Sequence, residues 1–221
     1  MSTLKPVLSQ KIDAHRPRTT RLVKECGDVK LGDVTIAQAI GGARGIKCLV
    51  TDISYLDPFE GIRFRGMTIP ETFDVLPKVP GSDYPFVEGF WYLLLTGDVP
   101  TMEQTLEVVE DWKKRSVVPQ YVYDVLNALP EDAHPMAMFS TAVLAMQRDS
   151  VFASNYAAGK FNKMTCWEDM YEDANNMMAK LGPIGAYIYR KKYKNNEQIA
   201  ADPNLDMGGN FAHMMGVPAP Y

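Results

Sequence analysis

Histidine is the side chain that most readily exchanges protons near neutral pH, and this chain of 221 residues has three: His15, His134 and His213. They stand far apart in sequence, and no pair has the spacing of metal ligands or of an acid–base couple. Each is therefore read as structural, with His134, just ahead of Pro135, helping to begin a helix. Cysteine offers no more. Cys26, Cys48 and Cys166 form no C-x-x-C pair, are odd in number, and neither Cys48 nor Cys166 has a neighbouring histidine, so a disulfide framework, a zinc site and a thiolate nucleophile are all unsupported. Such usage suits a reducing compartment. Neither a G-x-S-x-G elbow nor a Walker loop occurs.

Anion binding has better material. In Gly41-Gly42-Ala43-Arg44-Gly45-Ile46-Lys47, three glycines beside two cations would let backbone amides and the Arg44 guanidinium approach a phosphate. A run of this kind equally serves as a bare turn, and spacing alone leaves both readings open. Arg63 and Arg65 are a second cationic pair; Glu60 and Glu71 are close enough to neutralise them, which favours a structural role. Trp91, Trp112 and Trp167 fall in helical apolar stripes and read as core rather than as a base-stacking platform.

The elements that would carry these groups are mostly helical. Leu4, Leu8 and Ile12 recur at helical spacing in a basic opening segment, which fits a mature amphipathic helix or an organellar presequence. Ile46 to Asp52 and Ile62 to Arg65 are the two strand candidates, with turn signals at Asp57-Pro58 and Glu60-Gly61. Downstream, a short helix opens at Ile69-Pro70-Glu71 and runs to Leu76, and a dense apolar one spans Phe86 to Leu95, closed by Gly97. Thr101 and Gln104 have capping-box spacing for a helix whose inner stripe is expected to be Leu106, Val109 and Trp112. Pro119 and Pro130 bracket another. Met136 to Met146 is apolar nearly all round, as a helix buried in a core or in a subunit contact would be. Trp167 to Lys194 has acids early and bases late, matching the helix dipole, and Gly182-Pro183 should kink it. A brief helix around Phe211 to Met215 follows.

Bulk properties exclude several classes. With 23 basic and 27 acidic residues the net charge is −4, which gives no attraction to nucleic acid or anionic lipid. No apolar run approaches the ~18 residues of a membrane span.

Several of these runs together name a family. Leu56-Asp57-Pro58-Phe59-Glu60-Gly61-Ile62-Arg63-Phe64-Arg65-Gly66 with Ile69-Pro70-Glu71, the Gly41–Lys47 loop, and Glu88-Gly89-Phe90-Trp91-Tyr92-Leu93-Leu94-Leu95-Thr96-Gly97 closely resemble the amino-terminal part of eukaryotic, mitochondrial-type citrate synthase. Trp167-Glu168-Asp169-Met170-Tyr171-Glu172-Asp173, Ile188-Tyr189-Arg190 and Asn210-Phe211-Ala212-His213-Met214-Met215-Gly216 extend the likeness over nearly the whole chain. The resemblance implies an all-α fold of large-domain helices with a short β hairpin near the amino terminus. It divides the chain into an amino-terminal helix and glycine turn (1–45), the hairpin (46–66) and part of the large domain (67–221), and it favours the mature-helix reading of the opening segment. It further implies an acyltransferase of the tricarboxylic acid cycle in the mitochondrial matrix, a homodimer joined through 136–146, that condenses acetyl-CoA with oxaloacetate and water to give citrate and CoA. No cofactor is bound permanently; acetyl-CoA and CoA are substrate and product, with no metal, nucleic acid or membrane span. Arg44 matches a family arginine that contacts a CoA phosphate, and Lys163 the place of a second such base, with Lys160 as a rival for that place. The family's catalytic aspartate and histidines match motifs beyond Tyr221, so no catalytic residue is assigned and the segment alone is expected to be inactive. A non-catalytic assembly subunit of a larger mitochondrial complex and a 2-methylcitrate synthase remain the other readings.

Overall fold

In the computed structural model, which describes residues 3–43, 45–46, 50–57 and 59–218, the basic opening segment is helix α1 (Leu4–Cys26). Its first turns enter the core, with Leu4 buried and Leu8 partly so, while its last turns are exposed, Leu22 and Val23 included. Polar ties hold this end, with Lys5 pairing to Glu172 at 3.1 Å and Lys11 to Asp98 at 2.7 Å. A short α2 (Ile36–Ile40) follows, started by a capping box of Thr35 and Gln38.

The only sheet among the described residues is a two-stranded antiparallel hairpin, β1 (Ser54–Asp57) and β2 (Gly61–Phe64). The expected first strand at Ile46 to Asp52 is corrected: its described residues are not in a strand, and residues 47–49 lie outside the description. The turn decides the register. The Asp57 carboxylate accepts from the amides of Phe59 (2.8 Å) and Glu60 (3.0 Å), so the chain reverses there and Asp57 faces Gly61.

The remaining elements are α3 (Ile69–Val75), α4 (Val87–Thr96), α5 (Met102–Arg115), α6 (Gln120–Ala128), α7 (Pro135–Ala145), a 3₁₀ turn (Met146–Asp149), α8 (Val151–Ala157), α9 (Cys166–Tyr193) and α10 (Met207–Met215). The chain is thus all-α with one hairpin, as expected. Local signals place most of the helix ends. Thr68 with Glu71 and Thr101 with Gln104 form complete capping boxes, and Gly97 closes α4 in the left-handed region at φ 79°. His134 caps α7, its Nδ1 accepting from the Met136 amide.

Helix α9, about 42 Å long at ~1.5 Å per residue, is the spine of the molecule and runs continuously through Pro183. Tyr171 and Ala179 on its first half join Leu4, Tyr92, Val108 and Trp112; Ile184 and Ile188 on its second half join Val118, Val122, Leu126, Met138 and Ala142. Each such fully buried aliphatic or aromatic side chain is worth roughly 1.5–3 kcal/mol against exposure. Glycine lets α10 come close: a Cβ on Gly185 would stand 3.4 Å from the Phe211 ring.

One stripe differs from expectation, and one apolar helix is covered only in part. In α5 the inner face is Thr105, Val108, Val109 and Trp112, whereas Leu106 is 44% exposed, because the helix is clamped between α4 and α9 and presents the side that both can reach. In α7 only Met138 and Ala142 are buried; Met136 and Leu144 are 63% and 69% exposed, so within this chain a single stripe of that apolar helix is covered.

Candidate functional site

Lys163 lies in the turn between α8 and α9. Helix α8 ends where Gly159 takes φ 69°, a conformation costly for residues with a Cβ. Asn162 then shapes the turn: its side chain accepts from the Met164 amide at 2.9 Å, and its carbonyl accepts from the amides of Thr165 and Cys166. Both flanks are tied down. Asp173 of α9 accepts from the Ser150 hydroxyl (2.6 Å) and from the Val151 and Phe152 amides (2.7 and 3.1 Å), while Asp169 accepts from Asn155 (3.0 Å). From α1, the Arg16 guanidinium donates to the Met164 carbonyl. Lys163 and Lys160 therefore stand exposed on a held turn, and neither has an ion-pair partner among the described residues. A compact ammonium so presented suits a phosphate as a point charge. The geometry does not separate Lys163 from Lys160.

Arg44 lies outside the described residues. Its neighbours Ala43 and Gly45 are left-handed, at φ 60° and 73°. Among the described residues of this loop, four amides donate to the chain itself: Gly41 to Ala37, Gly42 to Ala39, Ala43 to Gln38 and Ile46 to Ala43. These four bonds are those of a turn closing α2, one of the two readings the loop's sequence allows.

The other cations are structural, as expected, though not with the partners expected for both. Arg63 pairs with Glu60 at 3.0 Å. Arg65 instead donates to the Leu94 carbonyl (3.0 and 2.6 Å) and that of Leu95 (3.2 Å), closing the C-terminus of α4, and pairs with Asp52 at 3.5 Å. Glu71 is spent on the Thr68 cap, whose amide and hydroxyl donors hold its carboxyl below the usual range. Trp91 and Trp112 are core, both donating their indole N–H to Asn175 Oδ1, at 3.1 and 2.9 Å.

No constellation for acid–base or metal chemistry appears among the described residues. His15 sits exposed on α1, His134 caps α7 and His213 is half-buried on α10. No group of three or more His, Cys, Asp or Glu could hold a metal ion among the described residues, and no described helix is long and apolar enough to cross a membrane.

Sequence reasoning missed one perturbed carboxyl. Glu88, on α4, is 1% exposed and its pKa is raised to about 7, chiefly because burial disfavours the charge. The signal available was an acid inside an otherwise apolar helix. Arg190, one of the bases late in α9, is buried and donates to the carbonyls of Glu197 and Met215, fastening the end of α10 to α9.

Comparison with known proteins agrees with this architecture. The family model described as "Citrate synthase, C-terminal domain" matches residues 42–221. Citrate synthase 4, mitochondrial, of Arabidopsis thaliana is 44% identical over 213 residues, 96% of this chain and 45% of that protein. The mitochondrial citrate synthase of Daucus carota is 43% identical, over 98% of this chain and 46% of its own length. The chain thus spans about half the length of the curated relatives it matches. Among solved structures, citrate synthase from Pyrobaculum aerophilum superposes with a TM-score of 0.65 at 24% identity, covering 85% of this chain and 45% of that one. The citrate synthase from Thermoplasma acidophilum, solved with carboxymethyl coenzyme A and oxaloacetate, gives 0.60 at 22% identity, covering 79% and 41%. At such identities these two establish the fold.

Proposed function

Because this chain belongs to the citrate synthase family, we propose that it is the amino-terminal part of an acyltransferase that condenses acetyl-CoA with oxaloacetate and water to give citrate and CoA. One observation carries the reading: likeness to mitochondrial citrate synthases runs through almost all of this chain and through less than half of theirs. The same likeness supports a mitochondrial location, in the matrix.

In this reading Arg44 and Lys163 bind phosphate of CoA. Support for Lys163 is its exposed ammonium on a turn pinned by α1 and α9; Lys160, on the same turn, is its rival. The bond-making groups reside on polypeptide beyond these residues, and His213 takes no catalytic part. The protein works as a homodimer whose contact runs along 136–146. That contact would cover the outward Met136 and Leu144, which a lone chain leaves in water.

The decisive experiment is an assay of the full-length gene product for free CoA released from acetyl-CoA plus oxaloacetate. Release is expected from that product and none from the 221-residue chain alone; a full-length product that releases no CoA overturns the proposal. Lys163→Ala should raise the KM for acetyl-CoA roughly tenfold, about the worth of one charge-assisted hydrogen bond. An equal effect from Lys160→Ala, with none from Lys163→Ala, would move the assignment.

A further inference from the structure

Glu88 stands at the second position of α4, 1% exposed, among Val109, Trp112, Ala179, Pro183 and Met214. Its two oxygens have different surroundings. Oε1 accepts at 2.9 Å from the amide of Met207, the first residue of α10, whereas Oε2 is buried with no hydrogen-bond partner among the described residues. Beside it lies a cavity of about 40 Å³, room for one water molecule.

The charged groups that face Glu88 from the packed elements are few. Helix α5 brings Lys113, whose ammonium pairs with Glu110 at 3.1 Å; α10 brings Asp206, its N-cap, which accepts from the Gly209 amide at 2.7 Å. From α9 come Ala179 and Pro183, both uncharged. A buried carboxylate with one oxygen unsolvated is expensive, and Asp206 adds repulsion at the same helix start. Against these stand the Met207 and Glu88 amides and, more weakly, Lys113.

We propose that Glu88 is a proton-operated clasp that seats the start of α10 on α4 and α5. When the carboxyl is neutral, Oε1 still accepts from Met207 and Oε2 carries a proton that it donates into the cavity, so both oxygens are satisfied without a buried charge. When the proton leaves to solvent, two carboxylates, both on buried residues, share one helix start. The seat then loosens and α10 opens locally.

The sign follows from linkage. Burial raises the folded-state pKa from 4.5 to about 7, so the closed state binds the proton more tightly than the open one. Closure is favoured at low pH and weakens as pH rises from about 5 to about 8, by a factor on the order of 70 between those values if the open state titrates normally.

Hydrogen exchange of the α10 amides (207–215) in the 221-residue chain tests this, with intrinsic base catalysis divided out. Wild type should lose protection across that pH range by tens of fold, and Glu88→Gln should keep a flat profile. Parallel profiles in the two proteins overturn the proposal. Should Glu88→Gln fail to fold, Asp206→Asn serves instead: asparagine keeps the N-cap and removes the like charge, so the transition should move to lower pH. An unmoved transition in that variant also overturns it.

Discussion

Asn175 offers the sharpest test of how the first core is held. Its side chain is buried, its Oδ1 accepts from both Trp91 and Trp112, and its Nδ2 donates to the Tyr171 carbonyl at 2.8 Å. Replacing it by leucine keeps the number and branching of the heavy atoms and removes the acceptor. The Trp112 indole N–H is then stranded in the core, at roughly 1–3 kcal/mol, and that of half-buried Trp91 at about 1 kcal/mol, the low end of the same range. The expected loss is about 2–4 kcal/mol, a large share of a typical ~5–15 kcal/mol, or a fall in Tm of roughly 4–16 °C for a chain of this size. Urea unfolding should show a lower midpoint at constant slope. Trp112→Phe removes one donor, so the double variant should lose less than the sum of the single losses. A loss of under ~1 kcal/mol for Asn175→Leu, or strict additivity in the cycle, would refute the shared-acceptor account.

Gly216 and Gly97 both close helices in the left-handed region, but a Cβ on Gly216 would meet Arg190 Nη1 at 2.7 Å, whereas on Gly97 it would meet Arg65 at an ordinary 3.8 Å. The strain of the left-handed backbone is common to both, so thermal unfolding should show Gly216→Asn losing more than Gly97→Asn only by what it costs to shift the Arg190 guanidinium from the Met215 carbonyl, about 1 kcal/mol. Glu172 is partly desolvated, which raises its pKa, yet Arg115 and Lys5 outweigh that and hold it below the ordinary value. Its stabilisation is present above about pH 4.5 and lost as pH falls through the lower folded value. Unfolding of Glu172→Gln should be easier than wild type at pH 7, the gap closing in acid. Asp173→Ala strips the start of α8 of its acceptor, so trypsin should cut at Lys160 and Lys163 faster while the global midpoint moves less. On the proposed homodimer contact, Met136→Lys with Leu144→Lys, on the outward side of α7, should leave the chain folded and lower the sedimentation coefficient of the full-length product toward that of a monomer; an unchanged coefficient would count against that contact.

What the sequence determined by itself was short-range or family-wide. Thr68 with Glu71, Thr101 with Gln104, and Gly97 mark helix ends because a cap is made between residues three or four apart, so its evidence lies inside one window of sequence. The runs around Gly61, Trp91 and Trp167 likewise carried the family and with it the all-α fold. Of the candidate residues, Arg44 was legible as a cation beside glycines, and Lys163, with Lys160 as its rival, only through the family resemblance. The tertiary structure decided which partners those types meet. Arg65 closes a helix that ends at Thr96, Glu88 reaches Met207, and Arg190 reaches Met215, all pairings between residues distant in sequence. Leu106 and Thr105 could each have faced inward on periodicity alone; the positions of α4 and α9 chose Thr105. A helix face is selected by the neighbours packed against it, and a buried charge by the groups that surround it, and neither is a property of the local chain.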